Sequence, residues 1–206
     1  MSKFKLSVEF SVDGGYCKAG ACTNNESYFR KEHDALLPHF LNMLWLSTFC
    51  PRAVVDVYAL SMNDTGANNG TARSTGGYRP FSLVSGAGNW AAGPVVGIGT
   101  AAVTFNDTRL ETIIPSANTA GNLAYQAVTF GAPATIGNNR SWTAVRVFLN
   151  RSGGAITCNE AGLYVWAHLG DGFDRYYCIA RDLIVPGVTI NNNNNGTLTY
   201  TFTIAV

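Results

Sequence analysis

Two stretches alternate strictly between apolar and polar residues, and they constrain the fold more than any other feature of the chain. From Phe4 to Val12 the apolar side chains fall on every second position (Phe4, Leu6, Val8, Phe10, Val12), with Lys5, Ser7, Glu9 and Ser11 between them. From Leu198 to Val206 the pattern returns as Leu198, Tyr200, Phe202, Ile204 and Val206 interleaved with threonines. A period of two places one side chain set on a buried face and the other on a wetter one, so both stretches read as half-buried strands. Slipping either by one residue would turn its whole apolar set outward, which ties their register to a core.

The region between them is punctuated for β structure. Short apolar runs near 94–105, 123–130, 142–150, 161–168, 175–185 and 197–206 are separated by Gly, Pro and Asn, the spacing of a sandwich or barrel. Charged residues make up only 13% of the chain, and 22 of 206 residues are glycine, as turn-rich β proteins require. One stretch changes period: Leu36, Leu37, Phe40, Leu41, Leu44, Trp45 and Phe49 recur every three or four residues, with Asp34 as N-cap and Cys50-Pro51 as terminator. It predicts a helix over 34–49. Residues 52–60 read as a further strand and residues 63–80 as a long polar loop of the kind that carries function or contacts between subunits. The Asn191–Asn195 run before Gly196 reads as a hairpin tip, because Asn and Gly tolerate left-handed backbone. The expectation is one mainly β domain over 1–206, of sandwich or jelly-roll type with one N-terminal α-helix. Within it, 1–90 would form an attachment region and 91–206 the β-sandwich portion.

Composition also narrows function. Fourteen basic residues balance 13 acidic ones, and a net charge of +1 supplies no field for a polyanion, so no nucleic-acid partner is expected. No apolar run approaches a membrane span or a signal peptide, so no membrane association is expected and synthesis is expected in a cytosol. Five unevenly spread cysteines do not form a disulfide framework. Cys17, Cys22, His33 and His39 approximate a two-cysteine, two-histidine zinc spacing, but the middle gap is short and Pro38 spoils the helical registration of the histidines. A zinc-stabilised adaptor is therefore a rival that metal analysis would test, and no metal or cofactor is expected. There is no G-x-S-x-G nucleophile signature, and Gly97-Ile98-Gly99-Thr100 lacks the remainder of a phosphate or dinucleotide loop. No catalytic residue is assigned, and the chain is expected not to be an enzyme.

Four segments carry a resemblance. Val95-Val96-Gly97-Ile98-Gly99-Thr100-Ala101-Ala102-Val103, followed by Asn106-Asp107-Thr108-Arg109-Leu110-Glu111, is similar to a "G-x-G-T-x-x-V … D-x-x-L" stretch of tailed-bacteriophage tail and capsid proteins. Arg146–Asn150, Asn159–Tyr164 and Ile179–Asp182, then the closing Thr-rich strand, continue the likeness over residues 90–206. The resemblance implies a non-enzymatic virion component, a capsid decoration or tail or fibre-associated protein, assembled in the host cytoplasm with other virion proteins. It also implies a homo-oligomer, with a trimer the first expectation ahead of a monomer on a lattice, and it supplies no catalytic residues. The alternative is a carbohydrate- or receptor-binding module that would stack a host-surface glycan on some of Trp90, Trp142, Trp166, Tyr176 and Tyr177. Glu160, Arg146, Arg181 and Asp182 are charges set within apolar runs, and once buried they should pair, with Arg181 and Glu160 the expected couple. Candidate interaction residues are Trp45, Tyr78, Trp90, Glu160 and Arg181.

Overall fold

The computed structural model describes residues 3–13, 27–33, 59–63, 69–73, 82–168 and 174–205. The expected helix over 34–49, with Trp45 and His39, lies outside the described residues, as do Tyr78, Cys17 and Cys22.

The larger sheet is antiparallel and is built on the two alternating stretches. β1 (Lys3–Val12) pairs with β12 (Asn195–Ala205) over ten residues, and β12 pairs on its other side with β9 (Asn139–Leu149) over eleven. β2 (Ser27–His33) extends the sheet beyond β1. The short strands β6 (Ala124–Tyr125), β7 (Thr129–Phe130) and β8 (Ala134–Ile136) all dock on the far side of β9. The alternation behaves as its period requires: Leu6, Val8, Phe10 and Val12 are buried with Leu198, Tyr200 and Phe202, while the residues between them are wetter. Because β1 lies between β2 and β12, the first strand is part of this sheet rather than an appendage to it.

A second antiparallel sheet has the order β11-β10-β5, from β5 (Gly93–Gly97), β10 (Ile156–His168) and β11 (Asp174–Ile190). Its strands read as continuous apolar runs instead of alternating ones, and the structure shows why. Residues 160–165 and 177–182 are buried without interruption, the mark of strands covered on both faces. One face meets the larger sheet, and apolar residues of both sheets join one hydrophobic core. The other face is covered by residues 98–123, where Leu110, Ile114 and Leu123 are buried.

Several expectations are corrected. His33 closes a strand opposite Leu6. Part of the expected 63–80 loop is β4 (Asn69–Arg73), which pairs with β3 (Ala59–Asn63) in a separate two-stranded ladder. The strand expected near 94–105 stops at Gly97, because Ile98 to Glu111 peels away as the covering loop.

Nor is the asparagine run a hairpin tip. β11 pairs with β10, and β12 pairs with β1 and β9, so residues 191–194 carry the chain from one sheet to the other. The left-handed tolerance read from sequence is used there, with Asn193 at φ 67°. Residues 150–155 cross alongside it from β9 to β10, and the two crossings are stitched together. The Asn193 amide donates to Asn150 O at 2.8 Å, and the Asn150 amide donates to Asn194 O at 3.0 Å. The buried Asn150 side chain donates to Ile190 O at 2.7 Å and to Gly154 O at 2.8 Å, and accepts from Ser152. Asn150→Leu would orphan these buried groups, and a loss of about 1–3 kcal/mol in urea unfolding is expected.

Candidate functional site

Charged side chains converge on the outer face of the smaller sheet. Glu160 lies on β10 opposite Gly97 of β5 and Leu183 of β11, and Arg181 lies on β11 opposite Gly162. Side chains of cross-strand neighbours share a face, so both point toward the covering loop. The Arg181 Nε donates to Glu160 Oε2 at 2.9 Å, which is the couple expected from sequence.

Sequence reasoning missed the rest of the cluster. Arg181 also donates through Nη1 to Asp107 Oδ2 at 2.7 Å and through Nη2 to Ala101 O at 3.1 Å. Glu160 accepts three loop amides: Gly99 at 3.1 Å and Thr112 at 2.8 Å on Oε1, and Glu111 at 3.0 Å on Oε2. Glu111 in turn accepts the Thr100 and Ala101 amides, each at 2.7 Å. Asp107 closes the loop on itself by accepting the Thr104 amide at 2.9 Å and the Thr104 hydroxyl at 2.7 Å. The Thr-x-x-Asp spacing of Thr104 and Asp107 is the one local signal that could have pointed to this turn.

Glycine makes room for the carboxylate. A Cβ on Gly97 would sit 2.5 Å from both Glu160 Oε1 and Thr112 O, and one on Gly99 would sit 2.5 Å from the same Oε1. At Gly162 it would approach Leu110 Cδ2 to 2.8 Å, so the loop can lie on the strand only where no side chain intervenes.

Electrostatics follow the bonding. Burial works against the Arg181 charge, but its bonds to Asp107 and Glu160 outweigh that and hold the guanidinium more firmly protonated than usual. Partial burial works to raise the Asp107 carboxyl, while Thr104 and Arg181 together carry it below its ordinary range. The Ala101 and Thr100 amides lower Glu111. An open cleft of about 470 Å³ runs beside the cluster, lined by Thr104, Asp107, Arg109, Leu110, Glu111 and Arg181. The carboxylates in it are committed to amides and to Arg181, so the arrangement fastens a loop and presents no free acid–base pair.

The other expected charges behave differently. Asp182, next to Arg181 in the strand, faces the opposite way into the core, where burial and the Asp182 charge raise the Tyr200 phenol. Arg146 corrects the expectation of carboxylate pairing. It is fully buried on β9 and donates through Nη1 to Ala92 O at 2.9 Å and Pro94 O at 3.1 Å, with its guanidinium 5.4 Å from the Tyr125 ring centroid. Desolvation pushes it down to about 10, so it stays charged at neutral pH on carbonyls and an aromatic face alone.

Of the other candidate interaction residues, Trp90 is 39% exposed, three residues before β5, and takes no part in the bonding of the pair. Among the proposed stacking platforms, Tyr177 is fully buried and Trp142 has Phe202 stacked on it at 4.0 Å and 6°. Among the described residues no group of three or more His, Cys, Asp or Glu could hold a metal ion. No family model, no curated protein and no solved structure matches this chain.

Proposed function

We propose that this chain is a non-enzymatic structural component of a bacteriophage virion, a capsid decoration or tail or fibre-associated protein of sandwich or jelly-roll type. It acts by assembly in the host cytoplasm with copies of itself and with other virion proteins. The observation that carries the reading is how polar and apolar groups are divided. Among the described residues, five of the six buried polar or charged ones, Arg146, Asn150, Glu160, Arg181 and Asp182, fall in the segments that resemble virion proteins, and the clearest of them act as architecture: Asn150 joins the crossings, and Glu160 and Arg181 hold the loop. Large apolar residues stand instead on loops and on the β7–β8 edge, with Phe105 63% and Ile136 76% exposed. Exposed apolar surface on a rigid support is what subunit contacts bury. The nesting of the β10–β11 hairpin within the β9–β12 pair supports the jelly-roll description.

Light scattering on the purified full chain over a range of concentrations tests this reading. A discrete closed oligomer, a trimer in the first instance, is expected, because cyclic symmetry closes such contacts. A monomer at every concentration would overturn it. If that monomer bound glycans and lost them on Trp90→Ala without unfolding, the carbohydrate-binding alternative would replace it.

A further inference from the structure

We propose that loop 98–112 is an acid-released cover over the outer face of the β5–β10–β11 sheet. The inference does not rest on the assembly reading, because it follows from what holds the loop. The loop meets the sheet through carboxylate oxygens acting as acceptors: Glu160 takes the amides of Gly99, Glu111 and Thr112, Glu111 takes those of Thr100 and Ala101, and Asp107 takes Thr104 and Arg181. Protonating Asp107 or Glu111 turns a charged acceptor into a neutral and weaker one, so the ties it holds loosen. Leu110 of the loop sits on Gly162, and its amide donates to the Tyr164 hydroxyl at 2.8 Å. Releasing the loop would therefore uncover Gly162 and Tyr164 on the outer face of the sheet.

The charged groups facing this cluster are Asp107, Arg109 and Glu111 on the loop, Glu160 from β10 and Arg181 from β11. Tyr164 and Cys178 also adjoin it, but burial raises both, and they stay neutral in acid. The sign is fixed by the direction of the shifts. Asp107 and Glu111 lie below their ordinary values of 3.8 and 4.5, so their hold is complete above those values and is lost as pH falls through the lower values of the folded chain. Arg181 stays charged throughout, so protonating Asp107 also takes an acceptor from its guanidinium.

Hydrogen exchange on the full chain, followed by mass spectrometry from neutral pH down to pH 3 and corrected for the intrinsic rate at each pH, tests the cover. Protection of the amides at 99–101, 104 and 111–112 is expected to be lost as pH falls, in the direction that the lowered Asp107 and Glu111 values set. The amides of β9 and β12 should keep their protection over the same range. Glu111→Ala removes an exposed side chain and spares the core, and at neutral pH it is expected to show the loss at Thr100 and Ala101 that the unaltered chain shows only in acid. Loop amides that stay protected to pH 3, that lose protection only together with β9 and β12, or that are unprotected at neutral pH would each overturn the proposal. So would a Glu111→Ala variant whose loop exchanges like the unaltered chain.

Discussion

Glu160→Ala is expected to remove about 3–5 kcal/mol of folding stability, the cost of breaking a buried ion pair from one side. The side chain is fully buried and its two oxygens take four donors, so alanine leaves three loop amides and the Arg181 Nε without their acceptor at once. A urea series reads the effect directly, since a protein of this size loses about 1–3 kcal/mol per molar urea and the midpoint should move by at least about one molar. Glu160→Gln keeps the shape and one acceptor oxygen, and should fall between the alanine variant and the unaltered chain. An alanine variant as stable as the parent would mean that water reaches the pair and that the cluster fastens nothing.

Phe148→Ala should be as damaging for an unrelated reason. Phe148 has no exposure and is held edge-on by Tyr125, with centroids 4.8 Å apart at 88°, and by Phe10, at 6.1 Å and 71°. Removing a ring from such a site loses its transfer energy and leaves a cavity, together about 3–5 kcal/mol. The loss is aggravated by Tyr125, whose hydroxyl donates to Ile114 O at 2.8 Å and ties the covering segment to the core. Phe105→Ala is the contrasting case: its side chain is 63% exposed, and stability should change by no more than about 0.5 kcal/mol, while self-association weakens if Phe105 is a contact residue. The two phenylalanines thus separate folding from assembly, with thermal or urea unfolding measuring one and light scattering the other.

What could be read from sequence follows physical periodicity. The alternation at Phe4–Val12 and Leu198–Val206 reports a two-sided environment, and these stretches form β1 and β12, paired with each other in the larger sheet. The Arg181–Glu160 couple was legible because a charge inside an apolar run has few affordable fates once buried. The same logic failed for Arg146, because carbonyl oxygens on Nη1 and a ring face take the place of a carboxylate and leave no trace in the pattern of charged residues, while its Nε and Nη2 stay without a hydrogen-bond partner. The Asn191–Asn195 run announced its backbone conformation but not its connectivity: a left-handed residue serves a hairpin and a crossing between sheets equally well. The covering loop was read as strand because Val103 and Phe105 continue the apolar character of β5. Its true partners, amides meeting carboxylates 48 to 61 residues away, have no sequence period at all. The proposed virion reading rests on the order of short motifs.

The central claim, that the buried Glu160–Arg181 pair fastens a loop, is tested most directly by a double-mutant cycle on Glu160→Gln and Arg181→Met, read by urea unfolding of the full chain. Residues joined in one bonding network should be non-additive, and a coupling of at least about 1 kcal/mol between the two is expected. Additivity within about 0.5 kcal/mol would contradict the account, because it would mean that the 2.9 Å contact between them contributes nothing to holding the loop on the sheet.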